Sequence, residues 1–592
     1  MVFTNKNIIL TAFFVLFFLI IISVGGFYLA SAEGNSNTIY VNPVSGNDAN
    51  DGYSWSTAKA TLANAITTAS NNGTIYLADG NYNTTGNYNL TISKNLTLRG
   101  QSQTGTVLNA GGASGILNVT ANTTCTVENL TLENGNATNG GAINNMGTLS
   151  INTCTLQNNS ASNYGGAINN EGFYGQATAN IANCTFLSNN ATDGGAIINE
   201  GAYGSAVCDI NNNTFWNNSA LYVGGAIFNG GIYGNAKATI TNNKLLNNHS
   251  KGHGGSGGAI DNAGDYGNVT ATISNNMLSN NSATFVGGAI EDTGFYGNNT
   301  NTTINGNIFI NNAAINGGAV INDGDRGNNI GTTVTNNTFL NNTGTNGGAI
   351  SNAGDYGNVT ATVDNNHFLT NTATDGGAID NSGDYGNVTV TVNSNTLLNN
   401  TAVEGGAIIN DGDYGNQVNA TLNNNTFINN VAKDYGGAVY NTGDYSNATV
   451  TISNCTIINN TSNRFGGGID NEGNYGVVTS TIANNIIANN TAADGGAINN
   501  NGNYGNATTT ITNNTITDNT ATDNGGAVYN TIEDGYANAT LNYNHIENNT
   551  EIEVYTQEGI ISAENNWWGT NFNGTDPESA GMTNFNIQTW LS

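Results

Sequence analysis

The sequence predicts an all-β fold: a single-stranded right-handed parallel β-helix of about 30 residues per coil, with a short N-terminal capping helix. Three observations predict it. The phrase Gly-Gly-Ala-Ile/Val-x-Asn returns with its first glycine at 140, 165, 194, 224, 257, 287, 317, 347, 376, 405, 436, 466, 495 and 525. After an opening gap of 25 the spacing stays between 29 and 33 residues, a period that marks a repeat architecture. Apolar and polar residues alternate within each repeat, and no segment keeps a helical period. A single repeat cannot bury its apolar face alone, whereas stacked repeats can.

Each repeat reads as three short strands. One is Gly-Gly-Ala-Ile-x-Asn, as at Gly376 to Asn381; the second alternates, as in Val388 to Val392; the third is Thr-Phe-x-x-Asn, as in Thr338 to Asn342. Side chains two apart share a face, so Ile350 and Asn352 point together to the core and Ser351 points outward. The inward Asn recurs from Asn145 to Asn530, with Asp292 the one exception. Buried amides need hydrogen-bond partners, and stacked rungs supply them as a ladder. A second inward column runs from Phe186 through Phe339 and Phe368 to Ile546. Parallel strands joined by crossovers favour the right-handed coil. The opening 25-residue repeat runs from Asn145 to Thr148 without the Tyr-Gly turn, so that turn is an insertion between strands.

Taken in order, residues 1–32 read as a signal peptide or signal anchor: Lys6, an apolar run from Ile8 to Ala30, then Ala30-Ser31-Ala32 as a cleavage site. The run is also long enough to span a bilayer uncleaved. Residues 33–135 read as the N-terminal cap and first coils, 136–550 as the repeat β-helix, and 551–592 as the C-terminal coil and cap. In the cap, Ser56 is placed to N-cap a short helix with Leu62, Ala65 and Ile66 on one face. Such a helix would cover the open end of the coil, whose unpaired edges otherwise invite aggregation.

The opening Tyr40-Val41-Asn42-Pro43 to Gly80 resembles the N-terminal cap of the pectate-lyase-like superfamily of right-handed β-helices. The Gly-Gly-Ala-Ile phrase with Phe186-Leu187-Ser188-Asn189 resembles the repeat of chlamydial polymorphic outer-membrane proteins, which recurs in adhesin-like surface proteins of methanogenic archaea. Asn565-Asn566-Trp567-Trp568-Gly569 and Trp590-Leu591 resemble the end of such archaeal domains. The resemblance implies an extracellular, adhesin-like β-helix: a stalk or binding surface toward glycans or other cells. It also implies an alternative, a polysaccharide lyase or glycoside hydrolase of the same superfamily. A purely structural cell-envelope protein is the second alternative. No stretch after Trp590 offers the strands of an autotransporter barrel, so barrel anchoring is not expected.

Charged residues make up 8% of the chain and the formal net charge is −30. That balance argues against nucleic acid and anionic membrane as partners, leaving an uncleaved N-terminal anchor as the only expected membrane attachment. Asn-x-Ser/Thr triplets such as Asn268-Val269-Thr270 are abundant, by composition alone or as glycosylation acceptors. Cysteines at 125, 154, 184, 208 and 455 are odd in number and form no disulfide framework. Neighbouring rungs nevertheless place Cys154 and Cys184 near bonding range; the plainer reading is small residues in a tight turn.

Three features exceed packing. Turn tyrosines, from Tyr174 through Tyr266, Tyr296, Tyr356, Tyr385, Tyr414 and Tyr445 to Tyr536, form a column that either binds sugar rings or partner proteins, or packs on itself. Before them stand Asp325, Asp355, Asp384, Asp413 and Asp444 in five consecutive coils, with Asp323 and Asp411 beside them. Stacked carboxylates repel; either they splay into solvent or bound Ca²⁺, the one candidate cofactor, relieves the repulsion. Finally, the longest spacing falls at Lys251-Gly252-His253-Gly254-Gly255-Ser256, where Asp261, Glu291 and Asp292 cluster and Arg326 replaces a turn tyrosine. Paired carboxylates near His253 are what glycosidic cleavage would use, although drift in one repeat yields the same pattern, and no catalytic residue is expected under the adhesin reading.

Overall fold

The computed structural model describes residues 37–569, apart from 295, 297–298, 326–328, 384, 415–416 and 551–552, together with 586–587. The N-terminal apolar run, Asp384 and Arg326 therefore lie outside the described residues. What is described is a right-handed parallel β-solenoid with about 30 residues per coil. Its longest sheet has 20 strands, which at ~4.8 Å per rung makes a rod about 90 Å long.

A representative coil shows how the repeat folds. Gly347 has φ +64, a left-handed conformation in which an added Cβ would lie 2.1 Å from the Ile350 carbonyl oxygen. A Cβ on Gly348 would lie 2.2 Å from the Gly377 oxygen one coil on, so both glycines are required by close approach. The strand Ile350–Ala353 follows, then a turn, the long strand Asn358–Asp364 and the short strand His367–Leu369. Each pairs in register with its counterpart in the next coil: Ile350 with Ile379, Val359 with Val388, Phe368 with Leu397. Ile350, Val363 and Phe368 have no solvent exposure and belong to one apolar core continuous along the rod. Within it the rings of Phe309, Phe339 and Phe368 stack at 4.7 and 4.9 Å.

The predicted inward Asn ladder is present. Asn145 Nδ2 donates to Asn170 Oδ1 at 2.6 Å, Asn352 to Asn381 at 2.7 Å and Asn410 to Asn441 at 2.8 Å. Two further ladders stand at the other corners. Asn337, Asn366 and Asn395 form one, and Asn342, Asn371 and Asn400 the other; in both, the backbone N–H and the amide Nδ2 of one residue donate to the Oδ1 of the next. The Asn-Asn doublets explain them. The first Asn of each, such as Asn336 (φ +57) or Asn341 (φ +54), turns the corner in the left-handed region that Asn tolerates. The second is fully buried.

Two expectations are corrected. Coils have a fourth ladder, not three strands only: Asn190–Asp193, Ser219–Val223 and Thr401–Glu404 are examples, with isolated bridges such as Ala313 to Thr343 carrying it between 283 and 401. The capping helix spans Leu62–Thr68 and its N-cap is Thr61, not Ser56. Asp48 accepts from the Ala60 and Thr61 N–H groups and from Thr61 Oγ1, holding that segment extended up to the cap. Leu62 and Ala65 bury against Ile39 and Val41 of the first strand, as a lid requires. All five cysteines are buried free thiols. Cys154, Cys184 and Cys455 fill places in an Asn ladder, where a sulfur accepts the amide N–H in place of Oδ1: the Cys154 N–H lies 3.4 Å from the Cys184 Sγ. Among the described residues no helix is long and apolar enough to cross a membrane.

Candidate functional site: a tyrosine ladder over a buried carboxylate column

The turn between the Gly-Gly strand and the long strand places its tyrosine in the left-handed region. From Tyr174 to Tyr504 these residues have φ between +43 and +69, a conformation that costs a bulky residue of order 1–3 kcal/mol. Stacking offsets part of that cost, at roughly 0.5–1.5 kcal/mol per pair. Tyr174, Tyr203, Tyr233, Tyr266 and Tyr296 stack in sequence at 4.6 to 5.1 Å. Tyr356, Tyr385, Tyr414, Tyr445, Tyr475 and Tyr504 continue at 4.9 to 6.3 Å. Tyr536 departs from the column, because Asp534 takes the left-handed corner and Tyr536 starts the strand Tyr536–Asn542.

This geometry changes what the column can do. Ring faces are turned to neighbouring rings, so a sugar cannot lie flat on them along the ladder's length. About half of each side chain is still exposed, from 41% at Tyr266 to 71% at Tyr174. The strip therefore presents ring edges and phenolic hydroxyls, one per rung from Tyr174 to Tyr296 and again from Tyr356 to Tyr504.

Beside each tyrosine stands the preceding residue. Asp325, Asp355, Asp413 and Asp444 are half-buried, and each bridges antiparallel to the tyrosine of the next coil, as Asp355 does to Tyr385. Burial raises the Asp444 carboxyl, and the Asp413 charge, more than burial, pushes the exposed Tyr414 hydroxyl up. Asp265 occupies the same column two coils before Asp325 and was not among the predicted site residues. Among the described residues no three carboxylate, imidazole or thiol side chains gather as a metal cluster.

Behind the strip lies a second column. The residue between Ile and Asn points away from the core, as alternation predicts, yet it is covered rather than exposed. Val223 and Tyr164 fold over Ile198 and Phe228, and Val286 over Ile321. Asp261, Glu291, Asp380 and Asp470 share this covered position. Burial pushes Asp261 up to about 8 and Asp380 up to about 7, and raises Glu291 and Asp470 well above the usual carboxylate range. Asp380 accepts from Ser351 and Ser382, and Asp470 from Asn499 at 2.7 Å. At its edge, burial raises Glu200 and Glu404 to about 7 and raises Asp323 and Asp411 well above the usual carboxylate range. Tyr440 donates to Glu472 at 2.8 Å, and the Arg464 guanidinium sits 5.2 Å over the Tyr435 ring.

The cluster suited to acid/base cleavage is only partly assembled. Asp261 and Glu291 are register partners in adjacent rungs, and burial favours the protonated form of both. Their exposures are 1% and 4%, so no substrate reaches them in this arrangement. Asp292 points to the core and accepts from Asn262 and Thr302, both at 2.8 Å. His253 stands exposed in the loop leading to Ser256 and bonds to neither carboxylate.

Three segments, 153–171, 426–442 and 508–531, match the Chlamydia polymorphic membrane protein repeat. The chain is a right-handed parallel β-helix with repeats of this type. Solved structures similar to this β-helix include the PL6 family alginate lyase AlyGC, at 10% identity over 90% of this chain and 100% of that one, TM-score 0.19. A tailspike protein mutant of E. coli bacteriophage HK620, in complex with a pentasaccharide, matches at 15% identity over 75% and 69%, TM-score 0.30. A mannuronic acid specific family 6 polysaccharide lyase from human gut microbiota matches at 11% over 70% and 76%, TM-score 0.20. No curated protein matches this chain.

Proposed function

We propose that this protein is an adhesin-like β-helix of the cell surface, whose tyrosine–aspartate face binds glycans. The observation that carries this reading is a strained, half-exposed column of tyrosines repeated rung after rung beside carboxylates. Strain held at a surface position in so many coils points to a role for the side chain outside the fold. Hydroxyls and carboxylates at a regular spacing match the repeating hydroxyls of a polysaccharide, each contact being weak and many acting together. A cleavage site would need accessible acid and base groups at one place. The carboxylate pair Asp261 and Glu291 is instead sealed.

The test is retention of the protein on a panel of neutral and acidic polysaccharides, with Ca²⁺ and with chelator, recording chain scission in the same samples. Retention without scission is expected, and Tyr356→Asn/Tyr385→Asn/Tyr445→Asn, whose new residues tolerate the left-handed corner, is expected to lower it at least ~10-fold. Scission that disappears in Asp261→Asn/Glu291→Gln would replace this reading with a lyase or hydrolase.

A further inference from the structure

Resting on the glycan-binding reading, we propose that the tyrosine–aspartate face selects glycans by charge: it takes linear glycans without carboxylates, prefers those bearing free amino groups, and holds off polyuronates. The distribution of charge on this face carries the inference. From 171 to 536, the turns between the Gly-Gly strand and the long strand hold acids at 265, 325, 355, 384, 413, 444 and 534. Over the same turns the sequence holds one basic residue, Arg326. The other cations of the repeat region stand elsewhere: Lys237 on the long face, Lys244 on the Phe face, Lys251, Lys433 and Arg464 along the fourth ladder.

A glycan lying along the tyrosine hydroxyls beside the turns from Asp325 to Asp444 thus meets a run of aspartates. Rungs repeat at ~4.8 Å, and the Debye length in physiological salt is about 8 Å. Each sugar therefore feels more than one carboxylate before screening removes the effect. A unit charge pair at 4 Å is worth about 1 kcal/mol even in bulk water, so a polyuronate with a carboxylate on every sugar accumulates repulsion along its length. An amino-sugar polymer accumulates attraction by the same count. The tyrosine hydroxyls supply the contacts that an uncharged glycan uses.

Matched pairs isolate charge from sugar shape. Binding is measured for chitin against chitosan oligomers, and for polygalacturonate against its methyl ester, in chelator, at low and high salt. Within each pair the less negative member is expected to bind at least ~10-fold tighter, a difference of 1.4 kcal/mol, and added salt is expected to shrink the gap. Asp355→Asn/Asp413→Asn/Asp444→Asn is expected to close the gap within each pair. That variant keeps the fold, because Asn474 and Asn503 already occupy the column. Equal binding within both pairs, tighter binding of polygalacturonate than of its ester, or a gap that survives the triple substitution would each overturn charge selection. In those outcomes glycan binding itself stands; if none of the four polymers nor any of the panel is retained, the parent reading falls instead.

Discussion

Asp292 occupies a rung where its neighbours in the column are asparagines, and the difference is one proton. Each ladder Asn accepts from the rung before and donates to the rung after. Asp292 accepts from Asn262 Nδ2 at 2.8 Å, but its Oδ2 has no partner, nor does Oδ1 of Asn322, its register partner in the next coil. An ionised carboxylate has nothing to donate there. Burial pushes its pKa up to about 6, so in the folded state it holds a proton to higher pH than in the unfolded chain, and the stability this gives is lost as pH rises through about 6. Asp292→Asn is therefore expected to stabilise the protein by about 1 kcal/mol at pH 8 and by much less at pH 5. Urea unfolding at the two pH values checks it; equal effects at both would show that protonation is not the difference.

At the scale of the strand and corner, the Asn-Asn doublet is the unit that closes each coil. Asn366 accepts from the Asn337 N–H at 2.8 Å and its Nδ2 at 3.0 Å, and donates to the Val334 carbonyl and to Asn395. Asn366→Ala strands two buried donors and an acceptor, and is expected to cost about 3 kcal/mol or more in denaturant unfolding. Asn366→Cys is expected to cost less, because Cys455 holds the equivalent place and accepts the Asn425 N–H at 3.4 Å. If both cost the same, the ladder's acceptor is not what matters. Elements of this kind were legible in sequence where packing imposes a period: the Ile and Asn pair of each Gly-Gly strand, and the Phe column. What escaped lacked such a signature. The fourth ladder is built from short polar segments such as Thr491–Asp494. The cover over this column comes from residues preceding the glycines, such as Val223 over Ile198 and Phe228 and Val286 over Ile321, and their positions share no apolar pattern from coil to coil. The left-handed tyrosines could not be read at all, since tyrosine is not a residue that announces that corner.

Over the whole molecule the buried carboxyls act together. Asp193 and Asp292 rise to about 6, Glu200, Asp380, Glu404 and Glu553 to about 7, and Asp261 to about 8, burial being the main cause in each. In the unfolded chain they titrate near 4. Between those limits the folded state binds more protons than the unfolded one, so stability falls as pH rises, by up to ~1.4 kcal/mol per pH unit for each extra proton held. A Tm that declines from pH 5 to pH 8 is expected; one that climbs over that range would contradict it. The same protons make the rod less negative than its formal −30 near neutrality and leave the half-buried aspartates of the turns as the charge met by a partner. Whether the tyrosine face is where that partner sits is decided most directly by oxidative footprinting of the protein with and without a retained glycan. Protection of Tyr356, Tyr385, Tyr414 and Tyr445, with Trp216 and Phe285 on other faces oxidised at unchanged rates, is the predicted result. Protection of Trp216 or Phe285, with the tyrosine column left open, would contradict it.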